Sequence, residues 1–152
     1  MDPTQLSDDF REFLTCLNEA CVEYLVVGGH AVAYHGYYRP TRYMDIWIAV
    51  SPDNADRLVR AINSFFGPLP GLTREWFLDG ENVTRFGAVP TLIEIIPTIS
   101  GGEFAKAYER RIAAEIDGQN VNLICFDDLI ANKQASARLK DLADVEQLLN
   151  PE

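Results

Sequence analysis

No stretch of the 152-residue sequence approaches the ~20 consecutive apolar residues that a membrane span requires. Cysteine is scarce. Cys16, Cys21 and Cys125 form no metal-type pair, and an odd count without a framework suits free thiols in a reducing cytoplasm. Cys16 and Cys21 are expected on one helix, five positions apart, a poor spacing for a shared ligand. His30 and His35 find no third histidine or cysteine to complete a zinc set. The opening Met1-Asp2-Pro3-Thr4-Gln5 has neither a basic nor an apolar segment, so no signal peptide is expected. Positive charge is short as well: 13 Lys and Arg stand against 23 Asp and Glu, for a net charge of −10. That balance speaks against the large basic face that extended duplex DNA needs, but not against a small local basic site. Repeats, low-complexity segments and long charge blocks are lacking. These absences argue against membrane-spanning, secreted, collagen-like and disordered classes and predict a cytoplasmic protein with no membrane partner.

What is present is ordinary globular material. Hydrophobic residues make up 47% and charged residues 24%, which is enough apolar side chain for a core. The length predicts one domain over 1–152, burying roughly two thirds of the surface its unfolded chain exposes.

Ser7 before Asp8-Asp9 reads as a helix start, with Phe10, Phe13, Leu14, Leu17 and Cys21 at helical spacing. Tyr24–Val27 reads as a short strand running into Gly28-Gly29, and residues 31–35 as a short helix ended by Gly36. Tyr43–Val50 is a second strand. Met44, Ile46, Ile48 and Val50 share one face of it, and Tyr43, Asp45, Trp47 and Ala49 the other. Ser51-Pro52 opens a helix with Ala55, Leu58, Val59, Ile62, Phe65 and Phe66 inward. Strands follow near 82–87 and 91–97. Ser100-Gly101-Gly102-Glu103 resembles a capping box for a helix through Arg111. Asp117-Gly118 marks a hairpin between 112–116 and 121–124. A helical portion closes the chain over about 126–150, from about Asp127 to Ala135 and again to Asn150, with Leu139, Leu142, Val145 and Leu149 as its apolar stripe. Interleaved helices and strands that also include hairpins predict an α/β fold: a mixed, α+β-like sheet with flanking helices.

Four features carry chemistry. Gly28-Gly29 sits between a strand and a helix, where glycine allows close backbone approach to a phosphate or simply makes a turn. Asp45 and Glu94 are lone acids in aliphatic strands. Either they converge on one hard cation, or each pairs with an arginine such as Arg39, Arg42 or Arg85. Lys133, Arg138 and Lys140 lie in the helical tail. Lys133 and Lys140 are two turns apart, on one side if a single helix runs through; with Asp141 and Asp144 close behind, they either hold a phosphate or form a solvated face of Lys–Asp pairs. His30 lies beside the glycine turn, next to a phosphate or as a structural histidine. No Gly-x-Gly-x-x-Gly and no Walker-type Gly-Lys-Ser/Thr is present, so Rossmann and P-loop readings fail.

In order, the stretches 24–36, 39–48, 93–101, 128–133 and 140–146 resemble the nucleotidyltransferases of the DNA polymerase β-like superfamily, in particular the AbiEii-type and minimal nucleotidyltransferase group. The likeness runs over roughly 10–149. It implies the polymerase β-type fold and binding of a nucleoside triphosphate with Mg²⁺ or Mn²⁺. It also implies transfer of a nucleoside monophosphate to a hydroxyl, with pyrophosphate leaving between two ions. Carried over residue by residue, Gly28 and Gly29 match the phosphate turn, Asp45 the second acid of an Asp-x-Asp pair, and Glu94 the third acid. Lys133 and Lys140 match basic positions of the tail. His30 and Arg42 fall beside the phosphate.

The departure is Tyr43, which stands where the first acid belongs and shares a face with Asp45. A phenol, with an ordinary pKa of about 10, is a poor ligand for Mg²⁺. The resemblance therefore implies either a transferase with a weakened metal site or a relative that binds a nucleotide, RNA or protein without transfer. An unrelated α/β domain with structural acids is the third reading. A toxin–antitoxin role is an analogy of group, not of site. The acceptor (an RNA end, a protein or a small molecule) and the oligomeric state are not specified by any pattern in the chain.

Overall fold

Among the described residues six strands form one sheet. A computed structural model describes residues 6–89 and 91–151. Met1–Gln5, read above as lacking a leader pattern, lie outside the described residues. In chain order the elements are α1 (Asp8–Glu19), β1 (Tyr24–Val27), α2 (Gly28–Tyr34), β2 (Tyr43–Ile48), α3 (Pro52–Phe66), α4 (Arg74–Leu78), β3 (Thr84–Ala88), β4 (Thr91–Ile96), α5 (Phe104–Glu109), β5 (Ile112–Ile116), β6 (Gln119–Leu123), α6 (Phe126–Ser136) and α7 (Leu139–Leu149). β1 and β2 pair antiparallel, β2 and β4 parallel, and β1 and β6 parallel. The hairpins β3–β4 and β5–β6 close the two edges. The order across the sheet is β3-β4-β2-β1-β6-β5, the mixed sheet that the interleaved pattern predicts. Among the described residues no helix is long and apolar enough to cross a membrane.

The central strands are the most apolar. All four residues of β1 are buried, and Met44, Ile46, Trp47 and Ile48 of β2 are at most 2% exposed. Each such aliphatic or aromatic side chain contributes roughly 1.5–3 kcal/mol on leaving water. α1 is capped as its sequence predicts: the Ser7 hydroxyl accepts from the Phe10 N–H, and Phe10, Phe13, Leu14 and Leu17 turn inward. α1 packs against α3, α2 against β1 and β2, and α6 against α7. The hairpin at Asp117-Gly118 forms with φ of 51° and 78° at the two positions, the conformation that matches strand twist.

Several expectations need correcting. α2 starts at Gly28, without an intervening loop. β2 stops at Ile48, and Val50 is exposed. Phe66 is exposed, while Asn54 is buried because its side chain bridges the backbone of Glu23 and Ala49. α4 has no periodicity long enough to reveal it. The capping box at 100–103 does not form: α5 starts at Phe104 with no side-chain cap, because Gly101 packs against α6 and Gly102 against Trp47. Cys21 lies beyond α1 in the left-handed region, with φ of 58°.

The largest correction concerns the tail. The two helical stretches do part near 135, at Ala137 with φ of 56°, so Lys133 and Lys140 do not share one side of a single helix. α7 is rotated from the leucine stripe. It buries Asp141, Asp144, Val145 and Leu148, whereas Leu139 is 87% exposed and Leu142 and Leu149 face outward. The buried positions also run i, i+3, i+4, i+7, but half of that stripe is acid. Cations on α6 and on the loop before β2 hold it there.

Candidate functional site

The register of three strands sets the site. β1 brings Val27 opposite Asp45, so the next residue, Gly28, turns away beside that carboxylate. Gly28 has φ of 69°, and a Cβ there would stand 2.0 Å from Asp45 Oδ2. Only glycine combines that backbone with that approach. Gly29 is tight for a different reason: a Cβ on it would come within 2.6 Å of Thr41 Cβ. β4 lies beside β2 with Glu94 level with Asp45, so the two lone acids are neighbours on one face. Tyr43, two residues before Asp45, joins them on that face.

These residues line a cavity of about 740 Å³ whose far wall is the α6–α7 junction and whose rim includes Thr98 to Ser100. Six basic residues line it: Arg39, Arg42, Arg85, Lys133, Arg138 and Lys140. The acids there are Asp45, Glu94 and Asp141. In a chain carrying a net charge of −10, this is a local excess of positive charge. Such a recess concentrates anions.

Most of these cations are already engaged. Arg39 makes a two-pronged pair with Asp144 at 2.8 and 2.9 Å. Lys133 is buried with its ammonium between Asp141 at 3.0 Å and Asp144 at 3.2 Å. Asp141 also accepts from Ser136 at 2.5 Å and from Arg138 at 2.7 Å. Burial pushes the Asp141 carboxyl up, but these hydrogen bonds outweigh it and hold it at about 2. Asp144 is held below its ordinary value in the same way, burial being outweighed by Arg39 and Lys133. Arg85 pairs with Glu94 at 2.5 Å. Among the described residues no carboxylate lies in ion-pair range of Arg42 or Lys140.

Asp45 behaves in the opposite way. Burial, and then repulsion from Glu94, push its carboxyl up to about 6 against the pull of Lys133, Lys140 and Arg39. Burial and Glu94 thus outweigh the surrounding cations in setting its charge state. Among the described residues no three His, Cys, Asp or Glu side chains gather to hold a metal ion. Two adjacent carboxylates with a phenol beside them fit one hard ion that takes its other ligands from water and phosphate. They fall short of the donor set for two.

His30 is not among the residues that line the cavity. Its ring meets Phe10 edge-on at 5.2 Å, and among the described residues its buried Nδ1 has no hydrogen-bond partner. Burial pushes its pKa down to about 4, so the ring is neutral at pH 7 and offers a phosphate no charge. Asp45, Glu94, Gly28, Gly29, Arg42, Lys133, Lys140 and Tyr43 do come together, although Lys133 is committed to two aspartates. Lys133 does pair with Asp141 and Asp144, but this is a buried ionic wall rather than a solvated face, with the half-buried Ser136 beside it. The Arg39–Asp144 pair spans 105 residues, and no local spacing signals it.

No protein-family model matches the chain, and no curated protein matches it. Among solved structures the chain is similar to the crystal structure of an antigenic nucleotidyltransferase-like protein from Paracoccidioides brasiliensis. The likeness covers 95% of this chain and 77% of that one, with a TM-score of 0.54 and 17% identity. At that identity the shared property is the fold, and the fold is nucleotidyltransferase-like.

Proposed function

We propose that the chain binds a nucleoside triphosphate with a divalent cation, Mg²⁺ or Mn²⁺, and transfers the nucleoside monophosphate to a hydroxyl acceptor. The observation that carries this reading is the level pairing of Asp45 and Glu94 beside the Gly28 bend, in a cavity rich in basic side chains. Asp45 and Glu94 are the residues that would hold the ion, whose chemistry is to neutralise phosphate charge and polarise the reacting oxygen. Arg42 and Lys140, free of carboxylate partners among the described residues, meet the phosphate chain. Gly28 keeps the space beside Asp45 open, and the doubly paired Lys133 positions the wall. The stretches that resemble the AbiEii-type and minimal group support a place near it within the superfamily.

A second reading, a relative that binds a nucleotide, RNA or protein without transfer, is favoured by one specific observation. Tyr43 puts a phenol where a further carboxylate would be needed for two ions.

One experiment separates them. The protein is melted with each of the four nucleoside triphosphates, with and without Mg²⁺. It is then assayed with labelled nucleotide on RNA, protein and aminoglycoside acceptors, beside Tyr43→Asp. Stabilisation only when nucleotide and ion are both present supports the pocket. Transfer by the unaltered chain supports the first reading, and transfer only by Tyr43→Asp supports the second. No thermal response to any combination refutes nucleotide binding in both readings and leaves RNA or protein binding as the second.

A further inference from the structure

Resting on the nucleotide-binding reading above, a second observation concerns how many ions the site takes. β3 pairs antiparallel with β4, placing Arg85 level with Glu94, which is itself level with Asp45 on β2. Arg85, Glu94 and Asp45 thus form a row across three neighbouring strands, about 4.8 Å from one to the next. The guanidinium Nε holds Glu94 Oε2 at 2.5 Å, and Arg85 lines the cavity. Its side chain is 65% exposed, and among the described residues its two terminal amino groups have no protein acceptor. A guanidinium has five donors in a rigid fork, so holding one carboxylate oxygen leaves donors to meet a phosphate.

We infer that Arg85 stands in for a second metal ion: the cavity takes a polyphosphate with one divalent cation, centred on Asp45 and Glu94, and with the Arg85 guanidinium as the other positive group. The donor set favours this division. Two carboxylates suffice for one dication, Glu94 is already shared with the Arg85 guanidinium, and a tyrosine stands at the position that would otherwise add the carboxylate a second dication needs. Arg85 and the ion also share Glu94, so in the absence of nucleotide they compete for it. The residue therefore sets both the stoichiometry and the affinity of the ion.

The test uses Mn²⁺, followed by the electron paramagnetic resonance of the free ion. It is run on the full chain alone and with a non-hydrolysable nucleoside triphosphate analogue. One Mn²⁺ is expected per complex of protein and analogue. Without nucleotide, Arg85→Gln is expected to bind Mn²⁺ about two- to fivefold more tightly, the range set by breaking an exposed ion pair. The same variant is expected to bind the analogue about tenfold more weakly, the size of one charge-assisted contact, and Arg85→Lys to recover part of that loss. Two Mn²⁺ per complex, or an unchanged Mn²⁺ affinity in Arg85→Gln, overturns the inference. Failure of the analogue to bind overturns the nucleotide reading instead, and the Mn²⁺ arm alone then decides whether Arg85 competes for Glu94. Both substitutions fall on an exposed side chain of an edge strand, so the fold is retained.

Discussion

Asp45→Asn is expected to make the ligand-free protein more stable while abolishing its response to ligand. The Asp45 carboxyl is raised from an ordinary 3.8 to about 6 by burial and by Glu94. An acid whose pKa is raised on folding binds its proton more tightly in the folded state. Its ionisation therefore opposes folding as pH rises above 3.8, with the full penalty reached above about 6. A shift of about two units corresponds to roughly 3 kcal/mol at pH 7. At pH 5, where the folded carboxyl is still mostly protonated, the same shift leaves about 1.5 kcal/mol. Removing the charge should recover these amounts, and for a chain of this length ~3 kcal/mol raises the melting temperature by roughly 6–12 °C. Urea unfolding in the presence of a chelator, at pH 5 and pH 7, measures both values from the midpoint at constant slope. In the same variant, stabilisation by Mg²⁺ with nucleotide should vanish. A destabilised variant, or a gain that does not change with pH, would refute the account of Asp45 as a strained, cation-seeking group and would favour a structural acid.

Three further outcomes follow from the geometry. Gly28→Ala forces a side chain into a φ of 69° against Asp45 Oδ2, and a loss of about 1–3 kcal/mol is expected in chemical unfolding, along with loss of ion binding. Lys133→Ala leaves Asp141 and Asp144 buried without their shared ammonium, and should cost about 3–5 kcal/mol in the same assay. His30, held near 4 by burial, makes folding weaken as pH falls from 6.5 towards 4, because the unfolded chain takes up the proton first. His30→Gln should flatten that acid limb in a melting-temperature profile, and an unchanged limb would assign it to other groups.

The parts of the fold that were legible in the sequence are those specified by local chemistry. The Ser7 cap, the Asp117-Gly118 turn and the alternation of β2 each depend on a few consecutive residues, and each formed. The lone acids were conspicuous because a charge among Ile and Trp needs a reason. The arginine alternative held for one of them: Arg85, one of three candidate arginines, pairs with Glu94, although the β3–β4 register that selects it is not encoded in local spacing, nor is the contact of Asp144 with Arg39 across almost the whole chain. His30 was drawn to the glycine turn by its position in the sequence, but its ring turns toward Phe10 on α1, a direction that spacing does not encode. The phase of α7 was misread because hydrophobicity was the only guide to which side faces in. Lys133, itself buried, required carboxylates instead.

That last helix has a consequence for how the chain finds its final shape. Turned by a third of a revolution, α7 would hide its leucines and satisfy an oily interface, yet it would strand an ammonium and a guanidinium with no counter-charge. The correct rotation is thus chosen by matching of sign, as a key is chosen by its teeth, and the leucines left outside are the cost of an unambiguous fit.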